Sequence, residues 1–176
     1  VSKEKEDKSR VTVADGLVQH FLSNFLFGGK FESIVGEEDG EVNITDRPFR
    51  IEGIIVPEAF EEHILRIGAV LQKMGEAVPD ETFKDTCIFI DPIDGTREFT
   101  MKMGEQCTIC IGFARAGKPY AGLVYRPLTN TWATGCSAEQ FHECELDLTA
   151  PNPKGFLCSN SRLTKFTEEL AVELGY

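Results

Sequence analysis

The chain of 176 residues is 41% hydrophobic and carries a net charge of −11. This length fits one domain or slightly more, and the apolar content is too high for a disordered protein. The acidic balance argues against a nucleic-acid polymer as partner, because phosphate backbones bind basic surfaces. The sequence has no apolar run of roughly 18 residues, the length that spans a membrane, so we expect no membrane partner. The oligomeric state stays open.

Hydrophobic periodicity predicts an α+β chain. A first helix begins near Ala14 and ends at Gly28–Gly29, and a second begins at Pro57. Three consecutive strands, two of them joined by a turn at Ala116–Gly117, predict an antiparallel meander. The predicted helices are 14–27, 57–75, 96–102 and 163–174; the predicted strands are 33–35, 51–56, 87–90, 106–114, 120–125, 131–136 and 156–158; 41–50 is predicted to be irregular and 151–155 to be a linker. The apolar stripe of the second helix comprises Phe60, Ile64, Ile67, Val70, Leu71 and Met74.

Six cysteines are present, and four of them lie in apolar runs typical of buried strands. Cys107 and Cys110 have the spacing of zinc and redox sites, but residues three apart on a strand point to opposite faces. We therefore expect no zinc site at this pair. Reduced cysteines fit a reducing compartment, so we expect a cytoplasmic location.

The most informative stretch is the hexapeptide DPIDGT at 91–96. It follows the apolar run 87–90, which predicts that Asp91 and Asp94 lie where a strand ends and the backbone turns. Two carboxylates, a turn carbonyl and the Thr96 hydroxyl are the kind of oxygen ligands that Mg²⁺ prefers. The alternative is an ordinary turn after a strand, because Asp and Gly both favour turns.

Two further acidic features precede this hexapeptide. Glu37, Glu38 and Asp39 follow a short apolar strand, and Asp15 lies at the start of the predicted first helix. Taken alone, the first cluster is a solvated acidic turn, and Asp15 is as readily a helix cap as a catalytic residue. It is the combination with 91–96 that favours a functional site.

The three features together resemble a known family. The motifs T-x-A-D at 12–15, G-E-E at 36–38 and D-P-I-D-G-T at 91–96 occur in the order seen in the magnesium-dependent, lithium-sensitive phosphatases of the inositol monophosphatase superfamily. The resemblance implies a layered helix–sheet–helix α+β fold with a mainly antiparallel sheet. The family's W-D element is absent, because the single tryptophan, Trp132, is followed by Ala133. We therefore expect a piece of a longer protein, with 1–155 as a metal-binding domain and 156–176 as the start of a truncated second domain.

The resemblance also implies residue roles. It implies a cofactor of two or three Mg²⁺ ions, a water that is activated near the metal, and phosphate binding by backbone N–H groups. Glu38 corresponds to the second Glu of the family's G-E-E motif, which does not bind the metal directly but contacts the residues that do. The implied metal ligands are Glu37, Asp91, Ile93 through its carbonyl and Asp94; the implied catalytic residues are Asp15, Thr96 and Glu38; the implied phosphate-binding residues are Gly95 and Thr96.

The substrate branch is less sharply indicated. Asp91 follows Glu37 by 54 positions (91 − 37), and this long insert together with DGTREFT at 94–100 resembles the 3′(2′),5′-bisphosphate nucleotidases. The run 106–112 is also similar to the inositol polyphosphate 1-phosphatases, and an inositol monophosphatase is a further alternative. We expect adenosine 3′,5′-bisphosphate as substrate and a small phosphorylated molecule as partner. The alternative of another class is a module that binds metal or phosphate without turning it over.

Overall fold

The computed structural model describes residues 2–4, 10–79, 83–137, 140–145, 169 and 172–173. Short strands and helices occupy the first half of the chain, and a series of antiparallel strands follows. The strands are β1 (Ser2–Glu4), β2 (Arg10–Thr12), β3 (Phe31–Gly36), β4 (Val42–Asn43), β5 (Arg50–Ile51), β6 (Ile54–Ile55), β7 (Phe83–Asp94), β8 (Thr108–Arg115), β9 (Lys118–Arg126), β10 (Thr131–Cys136) and β11 (Phe141–Cys144). The helices are α1 (Val13–His20), a π-helical continuation (Phe21–Leu26), α2 (Glu58–Glu76), α3 (Thr96–Thr100) and a 3-10 turn (Gly104–Gln106).

The chain divides into two compact units, Val1–Leu146 and Asp147–Tyr176. In the second unit residues 169, 172 and 173 are described, and each is helical. The predicted linker at 151–155, the strand 156–158 and most of the helix 163–174 lie outside the described residues. The predicted division into domains after residue 155 therefore stays a prediction.

A six-stranded sheet in the order β11-β10-β9-β8-β7-β3 forms the centre of the first unit. Its neighbouring strands are antiparallel except β3 and β7, which are parallel. The predicted meander is confirmed as β8, β9 and β10. Its turn at Ala116–Gly117 has positive φ at both residues, as a tight hairpin requires. This mainly antiparallel α+β arrangement confirms the expected fold class.

The helices pack on one face of the large sheet. One apolar cluster joins α1, the π-helical segment and α2 to the small sheet β4-β5-β6. A second cluster buries Ile88, Ile90 and Ile111 of the large sheet. Phe89, which lies between the buried residues Ile88 and Ile90, is 49% exposed, and Val35 on the neighbouring strand β3 is 48% exposed. The large sheet therefore has one buried face and one accessible face.

Strand β7 differs most consequentially from the predicted elements. It runs through Asp94, whereas the sequence predicted that the strand ends before the acidic hexapeptide. Asp91 pairs with Cys110 and Asp94 with Thr108, so three steps along β7 match two along β8. This bulge accommodates Pro92, which has no N–H to donate. Because the extra residue restores the alternation, Asp91 and Asp94 share one face, whereas residues three apart on a regular strand point to opposite faces.

The predicted strand 51–56 is wrong in detail. The chain forms a hairpin there, β5 and β6, with a turn at Glu52 and Gly53. Their φ angles are 53° and 76°, and positive φ at both central residues is typical of a type I′ turn. Glutamate rarely adopts this conformation, so the turn has no sequence signal. Strand β4, in a region predicted to be irregular, completes the three-stranded sheet.

Helix α2 is confirmed after Pro57, but its predicted apolar stripe is only partly buried. Ile64 is buried, and Gly68 and Gly75 complete the packed face. A Cβ on Gly75 would lie 2.2 Å from the carbonyl oxygen of Phe25, so the two helices approach too closely there for a side chain. The large apolar residues of the predicted stripe therefore lie on a face of α2 that is only partly buried. The exposed members of the stripe are Phe60, Ile67, Val70 and Met74.

The first predicted helix is confirmed in position, but its second half is π-helical. Asn24 Nδ2 donates to the carbonyl of His20 at 3.0 Å, a group that a regular α-helical ladder would use. Strands β1, β2 and β11 were not predicted, because each has at most four residues and little alternation. Among the described residues, no helix is both long and apolar enough to cross a membrane.

Candidate active site

Asp15 lies at the third position of α1, where Thr12 caps the helix. The N–H and the hydroxyl of Thr12 both donate to Asp15 Oδ2, at 2.8 and 2.5 Å. The same hydroxyl oxygen accepts from the N–H of Ala14 at 3.2 Å, which completes a capping box. Asp15 is only 1% exposed. Asp15 Oδ2 therefore takes part in capping α1, whereas Asp15 Oδ1 is available to a second partner.

That second partner is Thr96, 81 positions away in the sequence. Thr96 Oγ1 lies 3.0 Å from Asp15 Oδ1 and 2.9 Å from the carbonyl oxygen of Ile93. Thr96 opens α3, and Gly95 before it has a φ of 90°, which glycine adopts readily. The two residues that were predicted to act on the water are thus a directly hydrogen-bonded pair.

The turn at Gly95 is also bound by the residue that directly precedes β8. Cys107 Sγ donates to the Gly95 carbonyl at 3.2 Å, and Cys107 is 3% exposed. Burial, and then the negative charge of Glu98, raise the pKa of the Cys107 thiol, so it keeps the proton that it donates. Cys110 has a different neighbour, the Thr108 hydroxyl at 3.4 Å. The two cysteines of the CxxC spacing therefore have separate roles.

Glu37 and Asp91 form the acidic part of the site. The N–H of Glu37 donates to the carbonyl of Ile90 at 3.0 Å, which sets Glu37 beside β7. Partial burial, a hydrogen bond with the Glu37 carboxyl group and the charges of Glu37, Asp94 and Asp15 raise the pKa of Asp91 to about 7. Two carboxyl groups can share a hydrogen bond only if one keeps its proton. The metal-free pair therefore holds a proton near neutral pH.

The other predicted site residues lie around this pair. Asp94 is exposed and accepts a long hydrogen bond, 3.4 Å, from the Thr108 hydroxyl. Ile93 is buried, and its carbonyl accepts from Thr96. The Glu38 side chain is 7% exposed. Within the part of the chain that the structure describes, no three His, Cys, Asp or Glu side chains are assembled into a metal-binding group. The roles of Glu38, Asp94, the Ile93 carbonyl and the Gly95 and Thr96 N–H groups remain predictions.

Glu37 and Asp91 open onto a concavity of about 330 Å³ on the accessible face of the sheet. A larger cavity, about 450 Å³, lies between α1 and α2 and is lined mainly by apolar side chains such as Val13, Leu17 and Phe60. The predicted carboxylates are not among its lining residues. The smaller concavity is therefore the one that combines shape with chemistry. Its remaining lining residues are Val35, Gly36, Phe89, Ile90, Cys110 and Gly112.

The acidic pair fits a divalent cation. Asp91 Oδ1 is buried and has no hydrogen-bond partner among the described residues. A buried carboxylate oxygen without a partner is destabilising. Burial first, and then the charges of the neighbouring carboxylates, raise the pKa of Asp91. A hard cation with oxygen ligands compensates both. Glu37 and Asp91 would hold such an ion, and Asp94 on the same face of β7 is the third candidate.

Two residues of the site were missed by the sequence reasoning. Thr12 orients the Asp15 carboxylate, and the pattern of Thr followed three residues later by an acidic residue could have indicated this. Gln19 binds the backbone of Glu38 through both atoms of its side-chain amide. No local pattern could have indicated Gln19, because its partner lies 19 positions away.

The chain is similar to known proteins in sequence and in fold. The sequence profile described as the inositol monophosphatase family matches residues 1–169. The 3′(2′),5′-bisphosphate nucleotidase 1 of Rattus norvegicus is 31% identical over 121 residues, which cover 68% of this chain and 35% of the relative. The corresponding protein of Dictyostelium discoideum is 34% identical over 122 residues, 68% of this chain and 36% of the relative. The chain thus spans about a third of the length of these curated relatives.

Solved structures share the fold at lower identity. A Staphylococcal inositol monophosphatase-1 in a LiCl-soaked inhibitory complex has a TM-score of 0.51 and 17% identity, covering 82% of this chain and 41% of that chain. An IMPase/NADP phosphatase complexed with Mg²⁺ and phosphate has a TM-score of 0.50 and 18% identity, with the same coverage. At this identity the likeness concerns the fold alone.

Proposed function

We propose, since this chain belongs to the inositol monophosphatase family, that it carries catalytic residues of a Mg²⁺-dependent, lithium-sensitive phosphate monoester hydrolase. The proposed substrates are 3′(2′),5′-bisphosphate nucleotides, with adenosine 3′,5′-bisphosphate as the representative. Hydrolysis of a phosphate monoester is among the slowest uncatalysed reactions, so the site must activate water and neutralise charge. The proposal assigns these two tasks to two separate groups of residues.

The observation that carries the proposal is the hydrogen bond between Thr96 and Asp15, 3.0 Å long. It joins the start of α1 to the start of α3, so it exists only because the fold brings these segments together. A capping residue needs no partner so far away in sequence, and Asp15 already satisfies the cap with its other oxygen. The added bond to Thr96 supports a role beyond helix capping.

Thr96 is proposed to relay a proton. A hydroxyl carries one proton, so Thr96 Oγ1 donates either to Asp15 Oδ1 or to the Ile93 carbonyl. When it donates to Asp15, its oxygen can accept a hydrogen bond from a water and orient that water. As the water attacks phosphorus, its proton passes to Thr96 Oγ1 and the Thr96 proton to Asp15. The burial of Asp15 keeps bulk water out of this path.

The acidic residues are proposed to bind two or three Mg²⁺ ions through Glu37, Asp91, Asp94 and the Ile93 carbonyl. When bound, such ions lower the pKa of water and neutralise charge on the attacking and leaving oxygens. The chain's own contribution is to hold Glu37 and Asp91 close enough to share one proton. With an ion bound there, Glu37 and Asp91 would hold it in their ionised form.

The substrate class rests on the nucleotidase relatives. Curated matches that cover 68% of this chain are named 3′(2′),5′-bisphosphate nucleotidase 1. The bacterial nucleotidase CysQ of Escherichia coli K12 is 30% identical over 91 residues, 49% of this chain. The family name supports an inositol phosphate as the second candidate.

The test is phosphate release by the full-length protein from adenosine 3′,5′-bisphosphate and from inositol 1,4-bisphosphate at equal enzyme concentration. Mg²⁺, EDTA and LiCl form the three arms. We expect Mg²⁺-dependent release from the nucleotide and inhibition by LiCl. Preference for the inositol ester would overturn the nucleotide assignment, and release from neither ester would favour a non-catalytic metal- or phosphate-binding module.

A further inference from the structure

The side-chain amide of Gln19 holds the peptide backbone next to the predicted metal ligand Glu37. Gln19 Oε1 accepts from the N–H of Glu38 at 2.8 Å, and Gln19 Nε2 donates to the carbonyl oxygen of Glu38. One side chain therefore satisfies both backbone groups of a single residue, as a neighbouring strand would. Gln19 belongs to α1, the helix that also carries Asp15.

The sequence makes room for this contact at Gly36. A Cβ on Gly36 would lie 2.2 Å from Cδ of Gln19, closer than any side chain could tolerate. Gly36 is the last residue of β3. A side chain at this position would displace the Gln19 amide, so glycine leaves room for the contact although no unusual φ is needed there.

Glu37 lies between two anchored peptide groups. On one side its own N–H donates to Ile90 of β7 at 3.0 Å. On the other side the N–H and carbonyl of Glu38 are bound to Gln19. The Glu37 side chain itself is exposed, so packing against neighbours contributes little to its direction. Its position is set mainly by the backbone, and Gln19 fixes one of the two ends.

We propose that Gln19 is a positioning residue that clamps the Glu37 turn so that the Glu37 carboxylate stays beside Asp91 for binding of a divalent cation. This inference rests on the proposed function for the cation, but the clamp itself is a property of the metal-free protein. It links the two halves of the site, because α1 carries both Asp15 and Gln19. Loss of the clamp lets the turn move and weakens cation binding without touching a ligand.

The first arm tests the clamp without metal. Hydrogen exchange of the Glu38 amide is measured by NMR in the full-length protein in EDTA, for wild type and Gln19→Met. Methionine has a similar length but provides neither a strong acceptor nor a donor. We expect exchange of the Glu38 amide to accelerate by about tenfold, the effect of one hydrogen bond. Unchanged exchange in a folded variant would overturn the clamp. Gln72→Met, an exposed glutamine on α2, is the matched control.

The second arm measures the Mg²⁺ midpoint by calorimetry. Residues that orient metal ligands typically change affinity by 10–100-fold, so we expect Gln19→Met to weaken binding by about tenfold. Gln19→Glu keeps the acceptor for the Glu38 N–H and should fall between wild type and Gln19→Met. In a Glu37→Gln background Gln19→Met should have no further effect, because its target is gone. An equal loss in both backgrounds would show a general structural role and overturn the proposal.

The outcomes separate this inference from the proposed function. Wild-type protein that binds no Mg²⁺ would overturn both. Normal Mg²⁺ binding with no phosphate release from any ester would overturn the proposed function alone. An unchanged Mg²⁺ midpoint in Gln19→Met would overturn the positioning role alone. If Gln19→Met does not fold, Gln19→Glu takes its place, and an unchanged midpoint in that variant has the same meaning.

Discussion

The Asp15–Thr96 pair and the Glu37–Asp91 pair lie in the same site but are built in opposite ways. Asp15 is 1% exposed and accepts three hydrogen bonds, two from Thr12 and one from Thr96. Asp91 is only partly buried, and one of its oxygens has no partner among the described residues. The first pair is complete in the metal-free protein, and the second needs a cation.

The difference teaches how the site divides its work. A group that moves a proton needs a fixed geometry, and the hydrogen bonds of Asp15 supply that geometry. Burial first, and then the charges of neighbouring carboxylates that include Asp15, raise the pKa of Asp91, so its ionised form is disfavoured without a cation. In the proposed mechanism the fold preorganises the proton path, and a bound cation would balance the charge of the acidic pair.

The largest effect is expected from a substitution in the Glu37–Asp91 pair. Asp91→Asn keeps the shape of the side chain but removes the charge that a cation binds. Because a bound ion contributes several kcal/mol of charge stabilisation, Mg²⁺-dependent turnover should fall on the order of 10³-fold. Steady-state kinetics on the full-length protein measure this. The control is Asp46→Asn, an exposed residue outside the site, which should behave as wild type.

The next effect breaks the proton path. Thr96→Ala removes the hydroxyl that links the water to Asp15, so kcat should fall by about 10²–10³-fold with little change in KM. Adding Asp15→Asn should lower kcat little further, because residues that act as a unit are non-additive. Losses that multiply would show that the two residues work separately. Thr100→Ala, in the same short helix, controls for damage to α3.

A smaller effect separates capping from catalysis. Thr12→Ala removes the hydroxyl that donates to Asp15 Oδ2 and caps α1. We expect a loss of about 1 kcal/mol in the free energy of unfolding, the usual effect of a lost N-cap. Turnover should fall by roughly tenfold, because Asp15 keeps Thr96 but loses one of its orienting donors. Thr12→Ser retains the hydroxyl and should restore both quantities, as measured by urea unfolding and steady-state kinetics.

The smallest effect sharpens the acidic side through pH. The folded pKa of Asp91 is raised from its ordinary value of 3.8 to about 7. Between these values the folded protein binds more protons at Asp91 than the unfolded chain, so this group's contribution to stability falls as pH rises from about 4 to about 7. In EDTA, thermal melting of wild type should lose more stability over this range than Asp91→Asn. A parallel pH dependence in the two proteins would contradict the assignment.

Much of the fold could be predicted because its signals are local. The meander β8–β10 has alternation and a turn at Ala116–Gly117, and α2 has both helical spacing and Pro57 before it. The turn at Glu52 and the short strands around it could not be predicted, since glutamate gives no sign of positive φ. The packed face of α2 was misjudged because close helix contact selected Gly75 rather than a large apolar residue.

The site could be predicted in its members but not in its arrangement. Asp15, Glu37, Asp91 and Thr96 came from motifs. The hydrogen bond between Thr96 and Asp15 was expected, whereas the one between Glu37 and Asp91 was not predicted. The bulge in β7 that places both aspartates on one face was read as a turn, because strand pairing is not visible in a single segment. Contacts across the sequence, such as Gln19 with Glu38, depend wholly on the fold.

The most direct test of the central claim is a calorimetric Mg²⁺ titration of the full-length wild type, Asp91→Asn and Thr96→Ala. The two-part account predicts that Asp91→Asn loses most of its Mg²⁺ affinity, whereas Thr96→Ala binds Mg²⁺ as wild type does although its turnover has collapsed. Equal Mg²⁺ affinity in wild type and Asp91→Asn would contradict the metal assignment. An equally large loss of affinity in Thr96→Ala would contradict the division of the site into a preformed proton path and a charge-balanced metal side.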